Sequence, residues 1–276
     1  MRVDAHHHLW EYDPVDYAWI DESMRPLQRD FLPPDLEDEA AGAEVDATIA
    51  VQARQTVDET YWLLDQAAVS PLIRGVVGWA PIAHPLFPEI LPALSINPLL
   101  KGLRHVVQAE PDGFLDDPAF NAGIATLADT GLVYDILIFA RQLAEATRFV
   151  DRHPNQSFVL DHIAKPDIKN DGFAFWDRTI RELALRPNVT CKLSGMVTEA
   201  DWATWTTAQL QPYFDTVLEA FTPARLMAGS DWPVLTVAST YTQWWATLDT
   251  WLAPLTPTER AQIEGETATR IYHLET

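Results

Sequence analysis

DATIAVQARQTVDETYWLLDQAAVSPLIRGVVGWAP, from Asp46 to Pro81, reads as strand, helix, strand. A β-branched run opens it (DATIAVQA from Asp46), a helical pattern follows (DETYWLLDQAAV from Asp58), and a second β-branched run closes it (RGVVGWAP from Arg74). The same rhythm extends in both directions. RVDAHHH lies at the start, GLRHVV begins at Gly102, GLVYDIL at Gly131, SFVLDHI at Ser157, NVTCKLS at Asn188 and RLMAGSD at Arg225. The spacing of these runs, about 25–35 residues, is that of βα units. Between them, ARQLAEATRFVDRH from Ala140 places Leu143, Ala146, Thr147, Phe149 and Val150 where they can share one helix face.

Eight such units in 276 residues predict a closed parallel (β/α)8 barrel, the TIM-barrel architecture, as a single domain over residues 1–276. A doubly wound open sheet is the alternative. It more often shows fewer strands and a glycine-rich phosphate loop, and neither GxGxxG nor GxxxxGK[ST] occurs. The gap from Leu9 to Val45 is longer than a standard connection. Its aromatic stretch, LWEYDPVDYAWIDESMRPLQRDFLPPDL, is expected to lie over the barrel mouth.

Bulk composition narrows the function. Hydrophobic residues make up 47%, enough for a large core, and the 11 Trp suggest a pocket that stacks on flat apolar faces. A net charge of −21 argues against nucleic acid and anionic membranes as partners. Cys191 is the lone cysteine, so no internal disulfide forms. With no apolar leader and no run long enough to span a bilayer, a cytoplasmic protein is expected.

Barrel active sites sit at the C-terminal ends of strands. The first run ends in Asp4-Ala5-His6-His7-His8. Strand alternation predicts His6 and His8 on one side with Asp4 below them, and His7 opposite. Two imidazoles at i and i+2 suit a zinc-like ion, and a hydrogen-bonded core pair is the plainer reading. The sixth run ends in Asp161-His162 and the eighth in Ser230-Asp231-Trp232. One such residue is ordinarily structural; three strand ends together offer a general base and imidazoles to bind metal or polarise a carbonyl. Arg104 and Arg54 follow strand ends and serve equally as substrate anchors or as members of ion pairs. Lys165 and Lys192 are expected at the surface, with only their stems covered. Trp79, Trp232 and Tyr134 are candidates to line the mouth, as is Trp10, with core packing as the alternative for each.

DAHHHLW from Asp4, VVGWAP from Val76, GLRH from Gly102, LDHIAKP from Leu160, KLSGMVTEADW from Lys192 and GSDWPV from Gly229, in this order, resemble the amidohydrolase superfamily. More narrowly, they are similar to its branch of small lactone hydrolases, from Val3 to about His273. The resemblance implies catalytic roles for His6, His8, His162 and Asp231. The strand-end and mouth positions read above make Arg54, Arg104, Trp79, Tyr134 and Trp232 the candidates for substrate contacts. One zinc-like divalent ion on His6, His8 and Asp231 is implied, with metal-independent catalysis equally open. Arg104-His105 stands where two-metal members carry a bridging lysine, so a two-metal centre is not expected. Thr267 departs from an asparagine common in sugar lactonases and is expected to affect helix capping or packing. The expected reaction is opening of a small-molecule sugar lactone, with Asp231 activating water. The rivals are a dicarboxylic-lactone hydrolase, a metal-dependent decarboxylase and a non-catalytic sugar-binding barrel.

Overall fold

Each of the eight β-branched runs forms a strand in the computed structural model, which describes Met1 to Glu275. The strands are β1 (Val3–His7), β2 (Ala47–Val51), β3 (Ile73–Gly78), β4 (Leu100–His105), β5 (Val133–Ile136), β6 (Phe158–Leu160), β7 (Val189–Leu193) and β8 (Leu226–Ala228). They pair in parallel in the order β1 to β8. Backbone bonds at the C-terminal end of the seam close the ring: the Asp231 N–H donates to the His6 carbonyl at 2.8 Å and the His8 N–H to the Trp232 carbonyl at 2.6 Å.

Each strand leads into a helix: α1 (Pro33–Gly42), α2 (Val57–Val69), α3 (Phe87–Ser95), α4 (Pro118–Leu127), α5 (Leu143–Arg152), α6 (Phe173–Ala184), α7 (Thr207–Phe221) and α8 (Tyr241–Leu252). Local chemistry starts several of them. Thr56, Asp117, Thr206 and Thr240 each accept a hydrogen bond from the backbone N–H three residues on, ahead of α2, α4, α7 and α8. Each such cap contributes about 1 kcal/mol. In α5 the expected face of Leu143, Ala146, Thr147, Phe149 and Val150 is buried throughout.

Two apolar layers result. A large cluster fills the space between strands and helices. A smaller one, including Val3, Ile49, Val51, Val77, Val133, Val159 and Met227, packs the barrel interior. Tyr272 and Leu274 join it, and Lys101 Nζ at the start of β4 donates to the His273 carbonyl at 3.0 Å, so the C-terminal segment closes the bottom. Thr267 lies buried near this end, within reach of the Pro223 and Ala224 carbonyls and remote from the strand tops. No helix among the described residues is long and apolar enough to cross a membrane.

Simple alternation fails on β1. Asp4 pairs with Thr48 and His7 with Ala50, three steps against two, so one extra residue is accommodated between them. Asp4 therefore does not lie beneath the imidazoles. Its carboxylate accepts from the Ser230 N–H and hydroxyl at 2.8 and 2.6 Å, and from the Tyr241 hydroxyl of α8 at 3.0 Å. It ties the β1–β8 seam to the helix layer.

Candidate active site

His6, His8, His162 and Asp231 meet at the top of the barrel, all buried. His8 Nδ1 lies 2.8 Å from the Val51 carbonyl, which only accepts, so Nδ1 carries the hydrogen and a neutral His8 turns a bare Nε2 inward. That nitrogen is 3.3 Å from His6 Nε2 and 3.4 Å from Asp231 Oδ1, and His6 Nε2 is 3.8 Å from the same oxygen. Ligand bonds of about 2.0–2.1 Å around a tetrahedral zinc put its donors about 3.3–3.4 Å apart. The spacing and chemistry of this donor set therefore fit one zinc-like ion.

The chain reaches this geometry through unusual backbone. His162, Ile163, Ala164 and Lys165 all take left-handed conformations (φ 51°, 49°, 62° and 44°), as does Asp231 (φ 62°). Such residues cost roughly 1–3 kcal/mol each and persist where the surroundings over-determine them. The turn puts His162 Nε2 3.8 Å from Asp231 Oδ1, with Nδ1 2.8 Å from the Ser194 hydroxyl. Gly195 (φ 64°) makes room: a Cβ there would lie 2.6 Å from His162 Nδ1.

Beneath the imidazoles lies a layer of buried charge. Lys192 Nζ, fully buried, is 2.6 Å from Asp135 Oδ2, 3.0 Å from Asp161 Oδ1 and 3.2 Å from His6 Nδ1. The Tyr272 hydroxyl donates to Asp135 from below at 2.8 Å. Arg104 bonds Asp161 Oδ2 at 3.0 Å and the Gln52 side-chain oxygen at 2.6 and 3.0 Å, and it also reaches the Gln52 carbonyl. Its Nη1 lies 3.3 Å from His6 Nε2. Burial pushes His6 well below its ordinary value despite the pull of Asp161, and burial also lowers His162, to about 4. Burial acts oppositely on Asp231, but His162, His8 and Lys165 outweigh it and hold that carboxyl below its ordinary value. At neutral pH, neutral His6 and His162 thus face an ionised Asp231 carboxylate.

A cavity of about 670 Å³ opens above this floor, a volume suited to a small molecule. His8, His162, Asp231 and Arg104 line its base. Val15, Asp16, Trp19 and Met24 of the long loop line one part of its rim, as expected for that segment, and Lys165, Glu199 and Trp202 line another. The loop is pinched at its base by paired backbone bonds between Trp10 and Phe31. Arg54 reaches the cavity, bound to Asp16 at 2.9 Å.

Three aromatic candidates do not reach it. Tyr134 points into the helix layer among Phe120, Phe149 and Phe158, because the phase of β5 turns its neighbour Asp135 inward. Trp79 donates to His105 Nδ1 at 3.2 Å, away from the cavity, and Trp232 packs edge-on against Phe31. Trp10 is fully buried beside Phe31, consistent with its packing alternative. The surface expectation for Lys192 is overturned. Cys191 and Leu193 on either side join the outer apolar cluster, which forces Lys192 inward. That flanking was the one signal in the sequence that pointed to it. Lys165 is also mostly covered and stands in the cavity wall, not on the outer surface.

A family model described as amidohydrolase matches residues 3–274. A protein of Burkholderia multivorans named L-fucono-1,5-lactonase is 41% identical, covering 99% of this chain and 96% of its own. Another of that name from Burkholderia ambifaria is 34% identical, covering 100% and 96%. The crystal structure of an amidohydrolase from Burkholderia multivorans with bound zinc superposes with a TM-score of 0.97 at 40% identity, covering all of both chains. With its strand-top histidines and aspartate in place on an eight-stranded barrel, and with these matches running end to end, the chain belongs to the amidohydrolase family.

Proposed function

We propose that this protein hydrolyses the ring ester of a neutral, polyhydroxylated lactone, a sugar lactone of the fuconolactone or rhamnonolactone kind, to the open sugar acid. The observation that carries the reading is the charge pattern of the cavity. Arg54 faces Asp16 at 2.9 Å, Arg104 faces Asp161 at 3.0 Å and Lys165 faces Glu199 at 3.6 Å. Each of these cations stands beside a carboxylate that offsets its charge, so none carries the unbalanced positive charge that would hold a dianionic substrate. A dicarboxylic lactone would need such free cations. Hydroxyls, which donate and accept, suit paired charges. The names of the two Burkholderia relatives support the same class.

In the mechanism, ionised Asp231 takes a proton from water as the water oxygen attacks the lactone carbonyl carbon. The carbonyl electron pair moves onto its oxygen. With the Ser194 hydroxyl, 2.8 Å from His162 Nδ1, acting as the donor to that nitrogen, Nε2–H becomes the donor that stabilises this oxyanion. Collapse breaks the ring C–O bond, and Asp231 returns its proton to the departing ring oxygen. His8, fixed by the Val51 carbonyl, and His6, fixed by Asp161 and Lys192, keep their orientation throughout. A zinc-like ion on His6, His8 and Asp231 would, when bound, polarise the carbonyl and acidify water.

The test is acid release from a panel of 1,4- and 1,5-aldonolactones, with 2-pyrone-4,6-dicarboxylate as the charged comparison, before and after chelation and zinc readdition. Turnover of one stereochemical subset of aldonolactones is expected. Preference for the dicarboxylate, or turnover of no lactone, overturns the proposal, and the chelated arm decides whether a removable ion takes part.

A further inference from the structure

The wall pair Lys165–Glu199 stands out among the charges of the cavity. The other two cation–carboxylate contacts close to hydrogen-bond length, at 2.9 and 3.0 Å. Lys165 Nζ and Glu199 Oε1 stop at 3.6 Å, well beyond the 2.7–2.9 Å usual for an ammonium–carboxylate hydrogen bond. Both side chains are mostly covered (16% and 18% exposed), and what remains open faces the cavity. An ammonium offers three donors and a carboxylate about four acceptor sites, and among the described residues neither group makes a hydrogen bond within 3.5 Å. Such a covered pair leaves capacity unused unless a third group enters.

Both backbones are held rigidly. Lys165 ends the left-handed turn that also places His162. Glu199 ends the short helical turn Val197–Glu199, where the Thr198 hydroxyl donates to the Gly195 carbonyl at 2.8 Å and the Trp202 indole N–H to the Thr198 carbonyl at 2.9 Å. The pair is therefore anchored at its backbones in the wall of the cavity that Asp231 also lines.

We infer that Lys165 and Glu199 form a hydroxyl clamp: one ring hydroxyl of the substrate donates to the Glu199 carboxylate while accepting from the Lys165 ammonium, with Trp202 in the same wall against the apolar face of the ring. A single oxygen satisfies both charges, and a substrate without it leaves two mostly buried charges short of partners. The clamp thus selects hydroxylated rings over plain ones by more than one ordinary hydrogen bond. This deepens the reading of the same cavity as a sugar-lactone site and assigns its specificity to two residues that do no bond chemistry.

The experiment uses the full chain and its Glu199→Gln and Lys165→Met variants, with folding checked by near-UV circular dichroism. Calorimetry compares an aldono-1,5-lactam, which resists hydrolysis, with unsubstituted 2-piperidone. Kinetics compare the matching aldonolactone with δ-valerolactone. In each variant the preference for the hydroxylated ring is expected to fall about 10–100-fold, in binding and in kcat/KM alike. Equal losses on both rings, leaving the ratios untouched, would mark a merely structural role and overturn the clamp. So would wild-type protein that binds the lactam no better than piperidone. Glu199-dependent lactam binding without hydrolysis of any lactone would refute the lactonase reading while leaving the clamp standing. Hydrolysis whose hydroxyl preference ignores Glu199 would do the reverse.

Discussion

Replacing Lys192 with methionine should unfold this protein more readily than any single change at the cavity rim. The side chains are close in size, so the change removes charge with little loss of packing. What remains is Asp135 and Asp161, both fully buried, without the ammonium that sat 2.6 and 3.0 Å away. Removing one partner of a buried charge pair costs about 3–5 kcal/mol. Two circumstances favour the lower part of that range: Asp135 keeps the Tyr272 hydroxyl, and Asp161 keeps Arg104. For a chain of 276 residues the unfolding entropy turns that cost into a fall in Tm of roughly 5–9 °C. Urea titration followed by circular dichroism reads the free energy directly. The paired variant Lys192→Met with Asp135→Asn should recover part of the loss, because the orphaned charge is then gone. A Tm within about 2 °C of wild type for Lys192→Met would refute the buried-layer reasoning, and so would strict additivity in the double variant.

Asp231→Asn should lower kcat about 10²–10⁴-fold on any lactone that is turned over, with the unfolding transition preserved; near-wild-type turnover would remove Asp231 from the mechanism. The pH profile follows from the same carboxylate. Because its pKa is held below the ordinary 3.8, Asp231 stays ionised and active as pH falls, so kcat/KM should remain level from pH 7 to about 5 and drop only near or below 4; an acid limb centred near 6 would assign the base elsewhere. Stability carries the same sign through Asp161. Its folded pKa lies well below the unfolded value, so its stabilisation is complete above the ordinary aspartate range and lost as pH falls through the folded pKa; urea midpoints that fall between pH 7 and 5 on account of Asp161 would contradict this. Gly195→Ala sets a Cβ 2.6 Å from the His162 ring at a φ of 64°, so it should cost about 1–3 kcal/mol and depress kcat more than it raises KM; a neutral effect on both would show that His162 has room to move.

The barrel was legible because its signals are local. β-branched runs and helical faces each occupy a few residues, and all eight strands and the α5 face lie where the residues put them. The strand-top set His6, His8, His162 and Asp231 was legible for a related reason: strand ends are where a barrel collects its polar groups. What failed was phase. Residue type points to Tyr134, yet it is Asp135 beside it that faces inward. Strict alternation puts Asp4 beneath the imidazoles, and the extra residue on β1 cancels that phase. The buried place of Lys192 is hidden from a local reading because its partners stand 57 and 31 residues away on β5 and just past β6, a proximity no short window contains. The left-handed run from His162 to Lys165 has no glycine or asparagine to announce it.

The failures at β5 and β7, over Tyr134 and Lys192, share one physical origin, and it bears on how the site works. The interior changes character along its axis, from an apolar base through the Asp135–Lys192–Asp161–Arg104 layer to the imidazoles and the open cavity. A buried ionic layer is a poor source of stability; well-packed hydrophobic residues of the same volume are often as good or better. Its physical value here is orientation. Lys192 and Asp161 fix His6 from one side, while Arg104, with its donors occupied by Gln52 and Asp161, supports it from the other. In the proposed mechanism the imidazoles therefore need no reorganisation when charge develops at the carbonyl, which is where fixed dipoles lower a barrier most. Such a layer requires charged residues on inward strand positions, against the local preference for apolar ones. For that reason Asp135 and Lys192, the two inward positions that residue-by-residue reading misses, lie directly beneath the imidazoles.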